Sequence, residues 1–419
     1  MTAPEPKLLN LAFAALPDRC DVLVIGAGPA GSACARALAQ AGRDVVMIDA
    51  HAFPRDKVCG DALVPDAHAA LRRLGLHERV MAVARPVRSA SCIAPGGHGV
   101  DVQGEMAVLP RRELDALLCA AAIESGARLH APARFEAVLT DEAGRVCGAT
   151  LKQGTSQQAL KAGWVVLATG ASVAPLLAAG VCTRRTPSGM ALRAHVHHPG
   201  LSAAHPGLRF TWHRQLPGGY GWIFPGPDDT FNIGVGVLDN LVDTPRRWWP
   251  GARRRSGMNL RELFAAFLAV DPVAAQLMRE GTVRSELKGA PLRCDLSGAQ
   301  WARPGLLVVG EAAGCTYSFT GEGIGKAMET GLAAAEALHG GSDAVITAQY
   351  EAALRQLLPR YRSFRQAGSF NRHPWLADLV IWRARHSPLI QAKLADVLNE
   401  TRLPGGLLTW RALRNFVRP

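Results

Sequence analysis

Residues 22–25 form an unbroken apolar run, as a short strand buried on both faces would. Three glycines, Gly26, Gly28 and Gly31, follow at once, then an Ala/Leu-rich stretch, and residues 45–48 make a second apolar run that ends in Asp49. The pattern predicts strand, turn, helix, strand across "DVLVIGAGPAGSACARALAQAGRDVVMIDA". Residues 65–84, with Leu71, Leu74 and Leu76, and residues 108–126, with Leu114, Leu117, Leu118 and Ala121, carry helical spacing. "RLHAPARFEAVLTDEAGRVCGATL" and "KAGWVVLATGAS" predict strands separated by glycine turns, and residues 180–240 predict more, with hairpin signals at "LPGGYG" and "PGPDDT". Tyr220, Trp222 and Phe224 alternate and so share one strand face, a pattern expected to continue through Phe231 and Ile233. Residues 260–280 predict a helix, 305–338 a strand, loop and helix, and the tail from Ile346 a helix with Tyr350, Leu354, Leu357 and Tyr361 on one stripe.

The order αβ, β-rich, αβ predicts an α/β nucleotide-binding domain interrupted by a mostly antiparallel sheet. The expected boundaries are 18–90, 111–180 and 298–342 for the nucleotide-binding domain, 91–110 and 181–297 for the inserted substrate domain, and 343–419 for a helical C-terminal region.

Composition narrows the classes. At 48% hydrophobic and 20% charged residues the chain is expected to fold, and no run approaches a membrane span. "KLLNLAFAAL" lacks a basic leader, so no secretory signal is expected. Nine cysteines without a C-x-x-C pair suggest reduced thiols in the cytoplasm, with no disulfide frame and no metal site. The net charge of +12 fits an anionic lipid, acidic partner or acidic cofactor, although an Arg-rich composition gives the same charge. No nucleic-acid-binding motif accompanies it, so no nucleic acid is expected. "RRWWPGARRRSG" (246–257) and the stripe Trp375, Leu379, Trp382 are candidates for peripheral membrane contact; the alternative is that the stripe docks on its own domain.

The glycines carry the first chemistry. Gly26 permits a tight turn, Gly28 lets a pyrophosphate approach the backbone, and Gly31 lets helix and strand pack closely. The helix N-terminus then faces phosphates and Asp49 reaches a ribose hydroxyl, so a dinucleotide is expected. Arg111 opens a helix and suits a phosphate. The strand ending at Gly310-Glu311 runs into a glycine-rich loop and a helix from Ile324, whose N–H groups suit an electron-rich ring edge.

Taken together, Gly26–Gly31 with Asp49, "PRDKVCGD", "PRRELD", "YGWIFP" and "GEAAG…TGEGI" resemble the FAD-dependent hydroxylase superfamily with the p-hydroxybenzoate hydroxylase fold. More closely they resemble its geranylgeranyl reductase branch, across about residues 20–340. The resemblance implies a glutathione-reductase-like (Rossmann-type) FAD domain. It places Gly26, Gly28 and Gly31 at the pyrophosphate, Asp49 at the adenosine ribose and Arg111 in the phosphate region. Gly310 and Glu311 would meet the ribityl chain, and Gly321, Gly323 and Ile324 would face the flavin pyrimidine edge. Glu311 stands where the family usually has Asp, which leaves the ribityl contact re-routed or water-mediated. Without a second G-x-G-x-x-G, NAD(P)H or a reduced carrier would donate electrons transiently.

In that branch the "PxxKxCG" stretch passes near the isoalloxazine, so Cys59 would position or protonate the substrate beside a cationic Lys57. The bland alternatives are a small packing cysteine and a solvated lysine. Asp61 stands where many relatives have Gly, although "CGD" resembles the menaquinone-reducing subset; it is read as a proton relay or a cap of the next segment. Tyr220, Trp222 and Phe224 would line a tunnel for a long apolar chain or fill an inter-sheet core. His195, His197 and His198 read as polar strand residues and Cys315 as packing. The expected activity is that of an FAD-dependent oxidoreductase acting on a hydrophobic small-molecule or carrier-bound substrate. Flavin N5 would deliver hydride to a C=C bond of an isoprenoid or quinone-linked chain. The alternative is a monooxygenase hydroxylating an aromatic or carrier-bound substrate through a C4a-hydroperoxide, since one fold hosts both. A non-catalytic flavin- or lipid-binding protein is the third reading.

Overall fold

In the computed structural model, which describes residues 10–238 and 259–404, the first predicted unit forms strand Arg19–Ile25, helix Pro29–Gln40 and strand Val45–Ile48. The two strands pair in parallel, Val22 with Val45 through Ile25 with Ile48, and strand Ser156–Leu167 pairs in parallel on the other side. Strands Leu306–Val308 and Arg128–His130 extend this sheet, and the antiparallel pair Arg134–Thr140 and Val146–Gln153 hangs from Ser156–Leu167. Parallel strands need cover on both faces. Helix Pro29–Gln40 packs between Arg111–Glu124 and Ile324–Ala337 on one face, while the antiparallel strands close a second core on the other.

A second sheet runs in the order Thr282–Val283, Gly189–His197, Thr230–Val237, Gly219–Pro225, Leu208–Thr211, Arg85–Ile93, Gly99–Val108, Ala62–Leu63, with Lys288–Leu292 also paired to Gly189–His197. Only the contact between Leu208–Thr211 and Arg85–Ile93 is parallel. Strand Arg85–Ile93 crosses position 90 and Ala62–Leu63 pairs with Val108 and Ala107, so this sheet draws chain from well before residue 91.

One face of the second sheet buries Ile223, Phe231 and Ile233 against helices Leu260–Val270 and Pro272–Glu280. The other face carries Tyr220, Trp222 and Phe224 and meets helices Pro374–His386 and Pro388–Leu398. Phe231 and Ile233 therefore do not continue the aromatic face. The hairpin register sets Ile233 opposite Ile223 and Gly234 opposite Trp222, so residues paired across the strands share a side. Gly234 is needed there, because a Cβ would sit 2.3 Å from the Trp222 ring.

The stretch 65–84 is two helices, Pro65–Arg73 and His77–Met81, because Gly75 turns the chain at φ +67°. The C-terminal helix Asp343–Ala367 buries Tyr350, Leu354 and Tyr361 with Leu357 half-buried, on the predicted stripe. Helix Pro374–His386 docks through Leu376, Val380 and Ile381 while Trp375 and Trp382 stay exposed. The segment 246–257 lies outside the described residues. No helix among the described residues is long and apolar enough to cross a membrane.

Candidate active site

The C-terminal ends of the central parallel strands, at Ile25, Ile48 and Ala168, open into a cavity of about 620 Å³ between the two sheets. At Gly26, φ is +104° and a Cβ would lie 2.4 Å from the Ala168 carbonyl oxygen. A Cβ on Gly31 would lie 1.8 Å from the Gly26 oxygen, so helix Pro29–Gln40 starts directly against the strand end. Gly28 is the residue before that helix, and no side chain caps it. Its first N–H groups are thus free of side-chain acceptors at the cavity wall.

Asp49, at the end of strand Val45–Ile48, accepts from the Ala27 N–H at 3.0 Å and the His51 N–H at 3.1 Å. Arg55 donates to both Asp49 oxygens at 3.2 Å and to Asp115 at 3.1 Å. Arg111 donates to Asp115 at 2.6 and 2.8 Å. Burial pulls the Arg111 pKa down, and the Asp115 carboxylate and the adjacent Cys59 sulfur more than reverse it, so the guanidinium stays charged. Both guanidiniums approach the open side of Gly28, within 3.8 Å of where a Cβ would stand. Two cations at an uncapped helix N-terminus fit a dinucleotide diphosphate. The sequence reading missed Arg55 and Asp115, although Arg55 sits inside "PRDKVCGD" and Asp115 lies one helical turn after Arg111.

The opposite end of the cavity is bordered by Gly310, Glu311, Gly321, Gly323 and Ile324. Gly310 takes φ +65°, its N–H donates to Thr330 Oγ1 at 2.8 Å, and a Cβ would meet Ala30 Cβ at 2.7 Å. Glu311 receives the Arg293 N–H at 3.4 Å. Helix Ile324–Ala337 begins after Gly323 with no side-chain cap, which again leaves backbone donors suited to the anionic edge of a reduced ring. The uncapped starts and close glycine approaches at both ends fit FAD. Every predicted site residue except the packing residue Gly31 borders this one cavity.

Lys326, in the first turn of that helix, is fully buried and bonds Asp66 at 2.7 Å and Glu400 at 2.8 Å. Burial lowers its pKa, and Asp66, Tyr317 and Glu400 more than reverse that, so it remains an ammonium that ties the C-terminal region to the cavity floor. Glu322 beside it is pushed from 4.5 to about 8, by burial first and then by Glu400 and Asp66. A raised carboxyl holds its proton more tightly in the folded state, so stability is lost as pH climbs from 4.5 through about 8. Glu322→Gln in the FAD-loaded protein is expected to flatten that fall in melting temperature, measured across this range. An unchanged slope would show that other groups cause it.

Lys57, Cys59 and Asp61 reach the cavity from the loop above, and Lys57 Nζ donates to the Val58 carbonyl at 3.1 Å. Asp61 is buried at φ +66°. It does not cap the next helix, whose N-terminal residue Val64 has no side-chain cap. Instead it accepts from the Arg111 N–H at 3.2 Å, from Asn232 Nδ2 at 2.7 Å and faces His195 Nε2 at 2.7 Å. Asn232 also donates to the Cys59 carbonyl at 2.7 Å and accepts from Trp222 Nε1 at 2.9 Å. His195 is thus more than a polar strand residue, and its partner comes from 134 positions away. Tyr220 bonds the Thr320 carbonyl, and Phe210 meets Tyr220 and Phe224 edge-on at 5.6 and 5.1 Å. Tyr220, Trp222 and Phe224 therefore form a rigid aromatic wall of the cavity.

An uncapped glycine-rich helix start beside two arginines and a second glycine loop, meeting at one cavity between a sheet with a parallel centre and a largely antiparallel sheet, fit an FAD-dependent oxidoreductase. The FAD binding domain family matches residues 19–211. The chain is 34% identical over 341 residues to a menaquinone reductase of Mycolicibacterium smegmatis, covering 77% of each chain. It is 29% identical to digeranylgeranylglycerophospholipid reductase 2 of Methanopyrus kandleri, covering 75% of this chain and 76% of that one. A geranylgeranyl bacteriochlorophyll reductase-like structure from Thermoplasma acidophilum superposes with a TM-score of 0.70 at 22% identity and 96% coverage of both chains. The chain belongs to the geranylgeranyl reductase family of FAD-dependent oxidoreductases, the branch that includes the menaquinone reductases.

Proposed function

We propose that the protein saturates a C=C bond in the isoprenoid chain of a quinone or lipid. The observation that carries this is a second cavity of about 150 Å³ that abuts the first and shares Phe210, Tyr220, Thr320, Glu322 and Leu398 with it. Its remaining wall is almost wholly apolar, including Val102, Trp212, Phe370 and Val380. Such a space holds a hydrocarbon by excluding water, its polar groups Thr320 and Glu322 standing where it meets the first cavity. The relatives are named for menaquinone and for digeranylgeranylglycerophospholipid, both of which carry isoprenoid chains.

Bound FAD would supply the electron pair. Arg55 and Arg111 would hold its diphosphate, Asp49 its ribose, and the Gly321–Ile324 backbone the ring edge. Glu311 faces the stretch between them. The aromatic wall orients the alkene and keeps water out. The carbon that does not receive hydrogen from the cofactor needs a proton, and Cys59 Sγ delivers it from the cavity rim. Arg111 is the cation beside that thiol, Lys57 rests on the Val58 carbonyl, and Asp61 and Asn232 fix the loop. Electrons enter from a transient donor, NAD(P)H or a reduced carrier. The test is mass spectrometry of menaquinone and geranylgeranylated lipid incubated with the chemically reduced, FAD-loaded protein. A gain of two hydrogens supports the reading. Gain of an oxygen atom in air, or no change with either substrate, overturns it.

We place the protein at the surface of an anionic bilayer when it takes such a substrate. Trp375 and Trp382 are 61% and 47% exposed on the helix whose Val380 and Ile381 wall the apolar cavity. Arg383, Arg385 and His386 form its last turn. Exposed tryptophans with the exposed Arg385 on the same helix suit a headgroup region. The double variant Trp375→Ser/Trp382→Ser is expected to lose at least about tenfold in affinity for anionic vesicles, from about 1.5–3 kcal/mol per large apolar side chain. Equal co-sedimentation of variant and parent would remove the bilayer from the proposal.

A further inference from the structure

We propose that His68, His77 and Glu105 form a binding site for a zinc-class divalent metal ion, separate from the cofactor cavity. His68 lies on helix Pro65–Arg73, His77 opens helix His77–Met81, and Glu105 lies on strand Gly99–Val108. One ligand atom from each lies within 4.8 Å of the others. The turn at Gly75 folds the two helices back so that His68 Nδ1 and His77 Nε2 stand 3.0 Å apart. Two imidazole nitrogens about 2.0–2.1 Å from a tetrahedral zinc lie roughly 3.3–3.4 Å apart, so a small spreading of this pair admits the ion. None of the three residues borders the cofactor cavity.

The surroundings support ligation. His77 uses its other nitrogen, Nδ1, on the Glu78 carboxylate at 3.1 Å, the arrangement that orients a metal-bound imidazole. His68 is buried, His77 half-buried and Glu105 exposed, so the cluster opens to solvent on one side. Arg72 faces the site from 3.4 Å beyond Glu105 and competes for its carboxylate. Glu105 is exposed and can exchange Arg72 for the ion, and water completes four-coordination. A bound ion would tie the helix that follows the Cys59–Asp61 loop to the second sheet. The sequence reading expected no metal from the scattered cysteines and from His195, His197 and His198 and did not weigh these three ligands; the turn at Gly75 is what brings the two histidines together.

Chelator-stripped, FAD-loaded protein titrated with zinc in a calorimeter is expected to bind one equivalent and to melt at a higher temperature when loaded. His77→Ala is expected to abolish that equivalent and the thermal gain, and Glu105→Gln to weaken binding by tenfold or more. His68→Gln repeats the test at the buried ligand, and should it fail to fold, His77→Ala still decides. Absence of stoichiometric binding, or an equivalent that survives His77→Ala, overturns the site and leaves an ordinary hydrogen bond between two histidines.

Discussion

Gly31→Ala is expected to yield a protein that purifies almost free of flavin. The added Cβ would stand 1.8 Å from the Gly26 carbonyl oxygen, far inside contact distance, so helix or strand must move. The strand cannot yield, because Arg19–Ile25 is hydrogen-bonded on both sides and its residues from Val22 to Ile25 are buried. The helix is held from behind as well. A Cβ on Gly331 of helix Ile324–Ala337 would meet the Ala30 oxygen at 2.2 Å, which shows how closely the two helices touch. Overpacking of this kind costs about 1–3 kcal/mol. The distortion falls on the helix start that receives the diphosphate, so it appears as up to about a hundredfold weaker FAD binding. Gly340→Ala, where a Cβ would meet nothing within 4 Å, is the control and is expected to keep its cofactor. The measurement is flavin absorbance per polypeptide after purification, followed by FAD titration. Full FAD content in Gly31→Ala would show that the helix start does not hold the diphosphate.

The ease of reading Gly31 from the sequence has a physical cause. Its clash partner lies five residues away, and the strand, turn and helix that carry both are one local unit. Asp49 was legible for the same reason, at the end of the next parallel strand. The helix Arg111–Glu124 and the start at Ile324 were also legible, since apolar spacing and glycines mark them locally. The contacts that complete the site come from afar. Arg55 meets Asp115 across 60 positions and Asn232 meets Asp61 across 171, and no periodicity in either segment encodes such a meeting. The facing of Phe231 and Ile233 failed for a different reason. Strands Gly219–Pro225 and Thr230–Val237 are buried on both faces, so alternation lacks the polar contrast that normally reports a side. Register, set by the turn between them, decided it. Glycines then carried information that apolar spacing could not, because Gly234 lies where the Trp222 ring needs room.

Asp61→Asn is expected to retain FAD and lose turnover by about a hundredfold or more, the scale on which a positioned proton donor acts. Three donors converge on this carboxylate: the Arg111 N–H on one oxygen, and Asn232 Nδ2 and His195 on the other. The Asn232 amide cannot turn over to relieve a change, because its oxygen is held by Trp222 Nε1. An asparagine at position 61 has one acceptor oxygen and one NH2 group, so one side must place donor against donor. The backbone tolerates the replacement, since Asn accepts the left-handed φ of +66° that position 61 requires. An unsatisfied buried group costs about 1–3 kcal/mol, whereas Asp61→Ala empties the hub, leaves all three donors without their acceptor and endangers the fold. The asparagine variant is therefore the informative one. Its strain reaches the Cys59 carbonyl through Asn232 and the cavity wall through Trp222, while the Arg111 side chain stays anchored on Asp115 and, with the Gly26–Gly31 turn and Arg55, keeps the diphosphate. Cys59→Ser separates positioning from proton transfer. If the thiol gives the proton, it too loses about a hundredfold in substrate turnover while the rate at which a donor reduces the flavin stays the same. Full turnover in Cys59→Ser would end the proton-donor role and leave Cys59 as a packing residue beside Arg111. Full turnover in Asp61→Asn would reduce the Asp61, His195 and Asn232 cluster to a structural clasp on the loop.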